Sequence, residues 1–188
     1  MDWNPAVSRR INIPFESGDV VEFVRLLREN PQYLYCDDGT DLWMWRAAMN
    51  NDLPMLQALA ELGADVNVPK DALAPDDPDC SFCQVEGPIV QAAGKGHTEV
   101  VRWLIERGAK LNYTVNGKVR CLSLLDAATK GHLETVKLLV QSGADIHASF
   151  NGHTPLSQAI GYGHVAVANY LRSVGADAEP TAALNPPA

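Results

Sequence analysis

Long apolar runs are missing from this chain. No stretch approaches the roughly 18 apolar residues of a membrane span. The opening residues, MDWNPAVSRRINIPFESG, hold no apolar run of signal-peptide length, so the sequence reads as a cytoplasmic protein. Cationic excess is missing too. Fifteen Lys and Arg stand against 23 Asp and Glu, a formal charge of −8. Nucleic acid and anionic membrane surfaces are bound through Lys/Arg patches, so this balance argues against both. A basic protein would instead be steered towards the chain. Four cysteines in 188 residues are too few and too irregular for a disulfide framework. There is no G-x-G-x-x-G, no phosphate loop, and no Ser or Cys nucleophile in a catalytic motif. Acid pairs such as Asp37-Asp38 and Asp76-Asp77 fall on predicted loops with no pocket to raise one pKa, and read as solvated.

What is there is repetition. Ala127–Gly143, AATKGHLETVKLLVQSG, reads as a short helix, a tight turn, a second helix and a glycine stop. The unit recurs at Ala92–Gly108 and Ala159–Gly175, with a looser copy at Ala47–Gly63. First Ala and last Gly are 16 positions apart in all four (47 to 63, 92 to 108, 127 to 143, 159 to 175). A constant interior means that packing fixes the unit, and such periods signal a solenoid. The intervals from Ala to Ala are 45, 35 and 32, and this variation lies in the connecting loops. Phe23, Leu26 and Leu27 stand at the same offsets from Gly18 as Val101, Leu104 and Ile105 do from Gly96. A degenerate first unit therefore covers about 8–34, in the manner of a terminal cap. Before it, residues 1–17 read as irregular, with Trp3, Ile11, Ile13 and Phe15 available to pack over the first helix pair. Pro31 closes that unit's second helix.

These residues resemble ankyrin repeats, whose period is about 33 and whose signature is T-P-L-H-x-A. The best match is NGHTPLSQA at 151–159, followed by Gly163-His164 and the closing GADA at 175–178. GADVN at 63–67, GAKLN at 108–112 and GADIH at 143–147 are further copies of the closing motif. The resemblance implies an all-α solenoid of about five antiparallel helix pairs in one domain, 1–178, with extended finger loops and a degenerate first repeat. The units run about 8–34, 42–66, 88–111, 122–146 and 154–178, with a long inserted finger at 68–87 and a disordered tail at 179–188. Only the fifth unit has Thr-Pro, so the bonds made by that threonine do not carry over to the others.

The three Gly-His pairs place His97, His132 and His164 on a ladder. Stacked helices lie about 8–10 Å apart, too far for these rings to share one ion. The resemblance makes them structural, bonding the inter-helix turn. Cys80-x-x-Cys83, with Cys36 and Cys121 in neighbouring links, leaves open a zinc site or a redox pair. The acidic run before Cys80 would raise a thiol pKa and disfavours the redox form, and the sequence is read as taking no metal and no cofactor.

The resemblance places binding on a concave face made by first helices and fingers. By position, Arg46, Gln91, Asp126 and Gln158 precede the first Ala, and Asn50, Lys95, Lys130 and Tyr162 follow it by three. Trp43 and Trp45 are either interface anchors or packing beneath the long loop. Asp76, Asp77, Asp79 and Phe82 are the long finger's candidates for contact with a partner. The function implied is non-catalytic protein binding by a chain that is monomeric when free. The chain is also similar to stand-alone bacterial ankyrin proteins that serve as immunity proteins for secreted toxins. On that likeness an acidic finger and concave face would sterically block a basic toxin's cleft. An adaptor that binds without inhibiting, and a zinc- or thiol-dependent site at the finger edge, are the alternatives.

Overall fold

Among the described residues, five inter-helix turns close in the same way. A backbone amide returns to the carbonyl five residues before it: Asp19 to Pro14, Asp52 to Ala47, His97 to Ala92, His132 to Ala127 and His164 to Ala159, at 2.8–2.9 Å. Such a turn needs one left-handed residue, supplied by Gly18, Asn51, Gly96, Gly131 and Gly163, with φ between 59° and 79°. Asparagine is the one residue here besides glycine, and it is among the side chains that tolerate this region best. Five turns in one register establish five helix pairs, the first of them at Gly18.

The computed structural model describes residues 4–34, 43–67, 87–115 and 118–177. Among these the helices are α1 (Pro5–Ser17), α2 (Val20–Glu29), α3 (Trp43–Met49), α4 (Leu53–Glu61), α5 (Pro88–Gly94), α6 (Thr98–Glu106), α7 (Leu122–Lys130), α8 (Leu133–Gln141), α9 (Pro155–Gly161) and α10 (Val165–Ser173). A 3₁₀ turn, Pro31–Tyr33, follows α2, where Pro31 ends the helix as expected. The fold is the expected all-α repeat fold, with one addition. A two-stranded antiparallel ribbon, β1 (Tyr113–Val115) and β2 (Lys118–Arg120), occupies the finger before α7.

The described residues fall into two compact units, one of residues up to 88 with 107–109, the other of 89–106 with the residues from 110 on. In the first, α1 packs on α2, α3 on α4, and α2 on α4. Its N-terminal residues depart from expectation. The stretch read as irregular is the 13-residue α1, capped by Asn4, whose side chain accepts from the Ala6 amide. Pro14 sits inside that helix and removes one amide from its ladder. Ile11 and Phe15 are buried as expected, but Ile13 is 66% exposed. Helical periodicity turns residue 13 away from the face shared by 11 and 15.

The second unit stacks α7 on α9, α6 on α8 and α8 on α10. Its core is the set of small and branched residues that the repeat predicts: Ala92, Leu104, Leu124, Ala127, Val136, Leu139, Ala159 and Leu171 are all fully buried. Alanine at the paired positions lets short first helices approach closely. The closing glycines Gly63, Gly108, Gly143 and Gly175 take φ of 84–92°, the left-handed stop expected. Thr154 and Ser157 form a reciprocal capping box on α9. Finger positions are tied by asparagine. Asn67 Nδ2 donates to the Gly108 carbonyl at 3.1 Å and Asn112 Nδ2 to that of Gly143 at 2.8 Å.

Candidate binding face

The first helices are short, so their position within each repeat decides what each side chain can do. The residue before the first alanine is half-exposed in every repeat: Arg46, Gln91, Asp126 and Gln158. Three positions after that alanine, Asn50, Lys95, Lys130 and Tyr162 are exposed. Tyr162 is 65% exposed, an aromatic ring kept in water. Between these positions Ala47-Ala48, Ala92-Ala93 and Ala127-Ala128 are buried in pairs, whereas in the last repeat Ala159 is buried and Ile160, in the second place, is 45% exposed. The first helices thus present one polar edge per repeat.

Trp43 does not belong to this edge. It is fully buried, and its ring packs in a cluster, tilted on Phe15 (4.8 Å between centroids) and edge-to-face with Phe23 (5.2 Å). Its indole N–H donates to the Tyr33 carbonyl at 2.8 Å. A ring with every face covered and its one polar atom satisfied offers nothing to a partner. Trp45 is 8% exposed and is likewise closer to core than to surface. Both tryptophans were read as either interface anchors or packing, and Trp43 lies in the interior of the first unit.

Arg46 rides on the same cluster. Its guanidinium lies 4.6 Å from the centre of the Phe15 ring and 5.3 Å from that of Trp43, and Nη1 donates to Asn12 Oδ1 at 2.7 Å. Glu16 Oε1 is 3.5 Å from Nη2. These contacts hold the arginine in one orientation against aromatic faces.

Asp126 is the one acidic residue among the eight. Its side chain lies against α5, where a Cβ placed on Gly94 would be 3.5 Å from Oδ2. Burial raises its pKa, and Lys130, one turn further along α7, offsets this only in part. Among the described residues no hydrogen-bond donor or cation bonds its carboxylate. By position, the neighbouring repeats offer Gln91 on α5 with Lys95 just beyond it, and Gln158 on α9 with Tyr162 just beyond it. Thr129 places its hydroxyl 3.5 Å from Gln158 Oε1. Sequence spacing located Asp126, but its lack of a partner is visible only with the helices stacked.

Two rungs of the histidine ladder, His132 and His164, make structural bonds. Nε2–H of His132 donates to the Gly94 carbonyl at 3.1 Å, and that of His164 to the Thr129 carbonyl at 2.9 Å. Each bond joins the turn of one repeat to the preceding first helix.

Asp76, Asp77, Asp79 and Phe82 lie outside the described residues, as do Cys36, Cys80 and Cys83. Cys121 is buried, its thiol pushed up by desolvation and 3.7 Å from Ser123 Oγ. A thiol so placed is a poor nucleophile. No group of three or more His, Cys, Asp or Glu arranged to hold a metal ion occurs among the described residues. No helix among them is long and apolar enough to cross a membrane.

A family model described as ankyrin repeats (3 copies) matches residues 70–150 and 123–182. A search of curated proteins finds no match to the chain.

Proposed function

The chain belongs to the ankyrin-repeat family, and from that premise we propose that it binds one basic protein partner and sterically inhibits it. Ankyrin repeats generally mediate protein–protein interaction. What supports the finer reading is Asp126. A half-exposed carboxylate costs free energy to desolvate, and one that Lys130 compensates only in part is stabilised by an incoming Arg or Lys. The exposed positions around it are polar and of mixed charge, so the acid stands as the anchor and its neighbours as complementarity. The formal charge of −8 steers a basic partner towards the chain.

On this reading the protein is non-catalytic and acts as an immunity-type inhibitor of a secreted toxin. The first-helix face and the acidic finger at 68–87 together cover the partner's active cleft. The test is affinity capture from the native host by wild type and by a variant lacking residues 70–86. It is followed by titration of the captured protein's activity. A one-to-one loss of activity that needs residues 70–86 is the expected result. Tight binding with undiminished activity would make the chain an adaptor and overturn the inhibitor reading.

A further inference from the structure

The turn histidines of the second unit expose a difference in the first. His132 lays its ring on Gly96, so that a Cβ at Gly96 would fall 2.6 Å from Nδ1. Its Nε2–H reaches the carbonyl two residues before that glycine. His164 repeats the arrangement on Gly131 and the carbonyl of Thr129. An imidazole thus fills the space between successive turns and bonds across it.

In the first unit the turns keep the same register, but Asp52 stands where the histidine would be, and it lines one cavity with Gly18 and Glu16. Aspartate is shorter and donates no proton when ionised. Among the described residues no side chain or backbone from another part of the chain comes within 4 Å of a Cβ built on Gly18. What results is an open cavity of about 490 Å³, lined among others by Glu16, Gly18, Arg46, Asn51, Asp52 and Pro54.

Its charge is set by two carboxylates and one guanidinium. Arg46 is held on Phe15 and Trp43 and by Asn12. Glu16 Oε1 accepts from Asn12 Nδ2 at 2.9 Å and is near Arg46. Asp52 Oδ1 accepts from the Met55 amide at 3.0 Å. Glu16 Oε2 and Asp52 Oδ2 have no bond among the described residues. Among the described residues that line it, Glu16, Asp52 and Arg46 are the charged ones, two acids to one base, and the two free acceptor oxygens have no donor among them.

We propose that this cavity between the first two turns receives an arginine side chain of the protein partner, in the place that a turn histidine fills elsewhere in the chain. A planar guanidinium has enough N–H groups to serve both free carboxylate oxygens and the Glu16 carbonyl together. An ammonium is a point charge and would serve fewer of them. This inference rests on the reading of the chain as a protein-binding module and names the chemistry of one side chain it takes.

The experiment titrates the full chain with N-acetyl-arginine methylamide and follows backbone amide signals by NMR. Saturable shifts confined to residues 16–18 and 50–54 are expected. The neutral isostere N-acetyl-citrulline methylamide should give none. Asp52→His should fill the space with the chain's own imidazole and weaken binding at least about tenfold. Glu16→Gln, at an exposed position, is the second variant and should weaken it as well. Absence of saturable shifts, an equal response to citrulline, or undiminished binding by both variants would overturn the proposal. The probe needs no partner, so its failure leaves partner capture standing. Probe binding without any captured partner would instead remove the module reading.

Discussion

Trp43 and Tyr33 are joined by a hydrogen bond from the indole N–H to a main-chain carbonyl, 2.8 Å long and wholly buried. The bond ties α3 to the turn that ends the first repeat. It also explains why a tryptophan is needed there, since phenylalanine would fill most of the volume but leave the carbonyl unpaired.

The first prediction follows from that contact. Trp43→Ala should cost about 3–5 kcal/mol, the usual range for deleting a buried large aromatic. Trp43→Phe should cost about 1–3 kcal/mol for the orphaned acceptor. Urea denaturation measures both. A loss below about 1 kcal/mol for Trp43→Ala would mean that the cluster with Phe15 and Phe23 is not a core.

Gly131 and Gly143 both take positive φ, 79° and 91°, but only Gly131 has a neighbour at its missing Cβ. Alanine at either position should cost about 1–2 kcal/mol for the left-handed backbone. At Gly131 it must also displace the His164 ring and its bond to Thr129. Gly131→Ala should therefore melt lower than Gly143→Ala. Equal melting temperatures would remove the packing role assigned to His164.

His147 occupies the finger position held by Asn67 and Asn112 in the preceding closing motifs. Those asparagines donate to the carbonyl of the next closing glycine. His147 instead leaves a buried Nδ1 without a hydrogen bond among the described residues, 3.7 Å from Asp177 Oδ2. His147→Asn should restore the pattern on Gly175 and stabilise by about 0.5–1.5 kcal/mol. A lowered melting temperature would show that the pattern does not extend to the last repeat.

Asp126 makes a prediction in pH. Its pKa in the folded chain is raised above the ordinary 3.8, with burial as the main cause. The folded state therefore holds this proton more tightly than the unfolded chain does. Stability from this group is greatest below the unfolded pKa and declines as pH rises through the raised value. Asp126→Asn should abolish that decline, seen as a flatter melting temperature between acid and neutral pH. A slope unchanged by the substitution would contradict the assignment. Partner affinity should run the other way, since a basic side chain prefers the ionised form, and should weaken as pH falls through the same range.

The repeats were legible because Ala and Gly sit at fixed intervals, and those residue types are forced by close helix approach and by left-handed backbone. Polar edge positions such as Asp126 followed from the same register. Helix α1 was not legible. Pro14 interrupts its pattern, and it lacks the paired alanines of the later first helices. The β1–β2 ribbon had a signal in Asn116-Gly117, the pair favoured by two-residue hairpins, but its strands are too short to show alternation. Burial of Trp43 was hidden because its partners Phe15 and Phe23 are 28 and 20 residues away in sequence. The cavity at Asp52 required knowing what the other turn histidines touch, and sequence spacing does not carry that.

The most direct measurement compares affinity capture from the native host by wild type, Asp126→Lys and Glu106→Lys. Both variants change the net charge equally. Asp126 lies on the first-helix edge, whereas Glu106 is exposed at the end of a second helix. One basic protein held by wild type and Glu106→Lys, and lost from Asp126→Lys, is the result the account predicts. Capture that survives Asp126→Lys, or that falls equally in both variants, would contradict it.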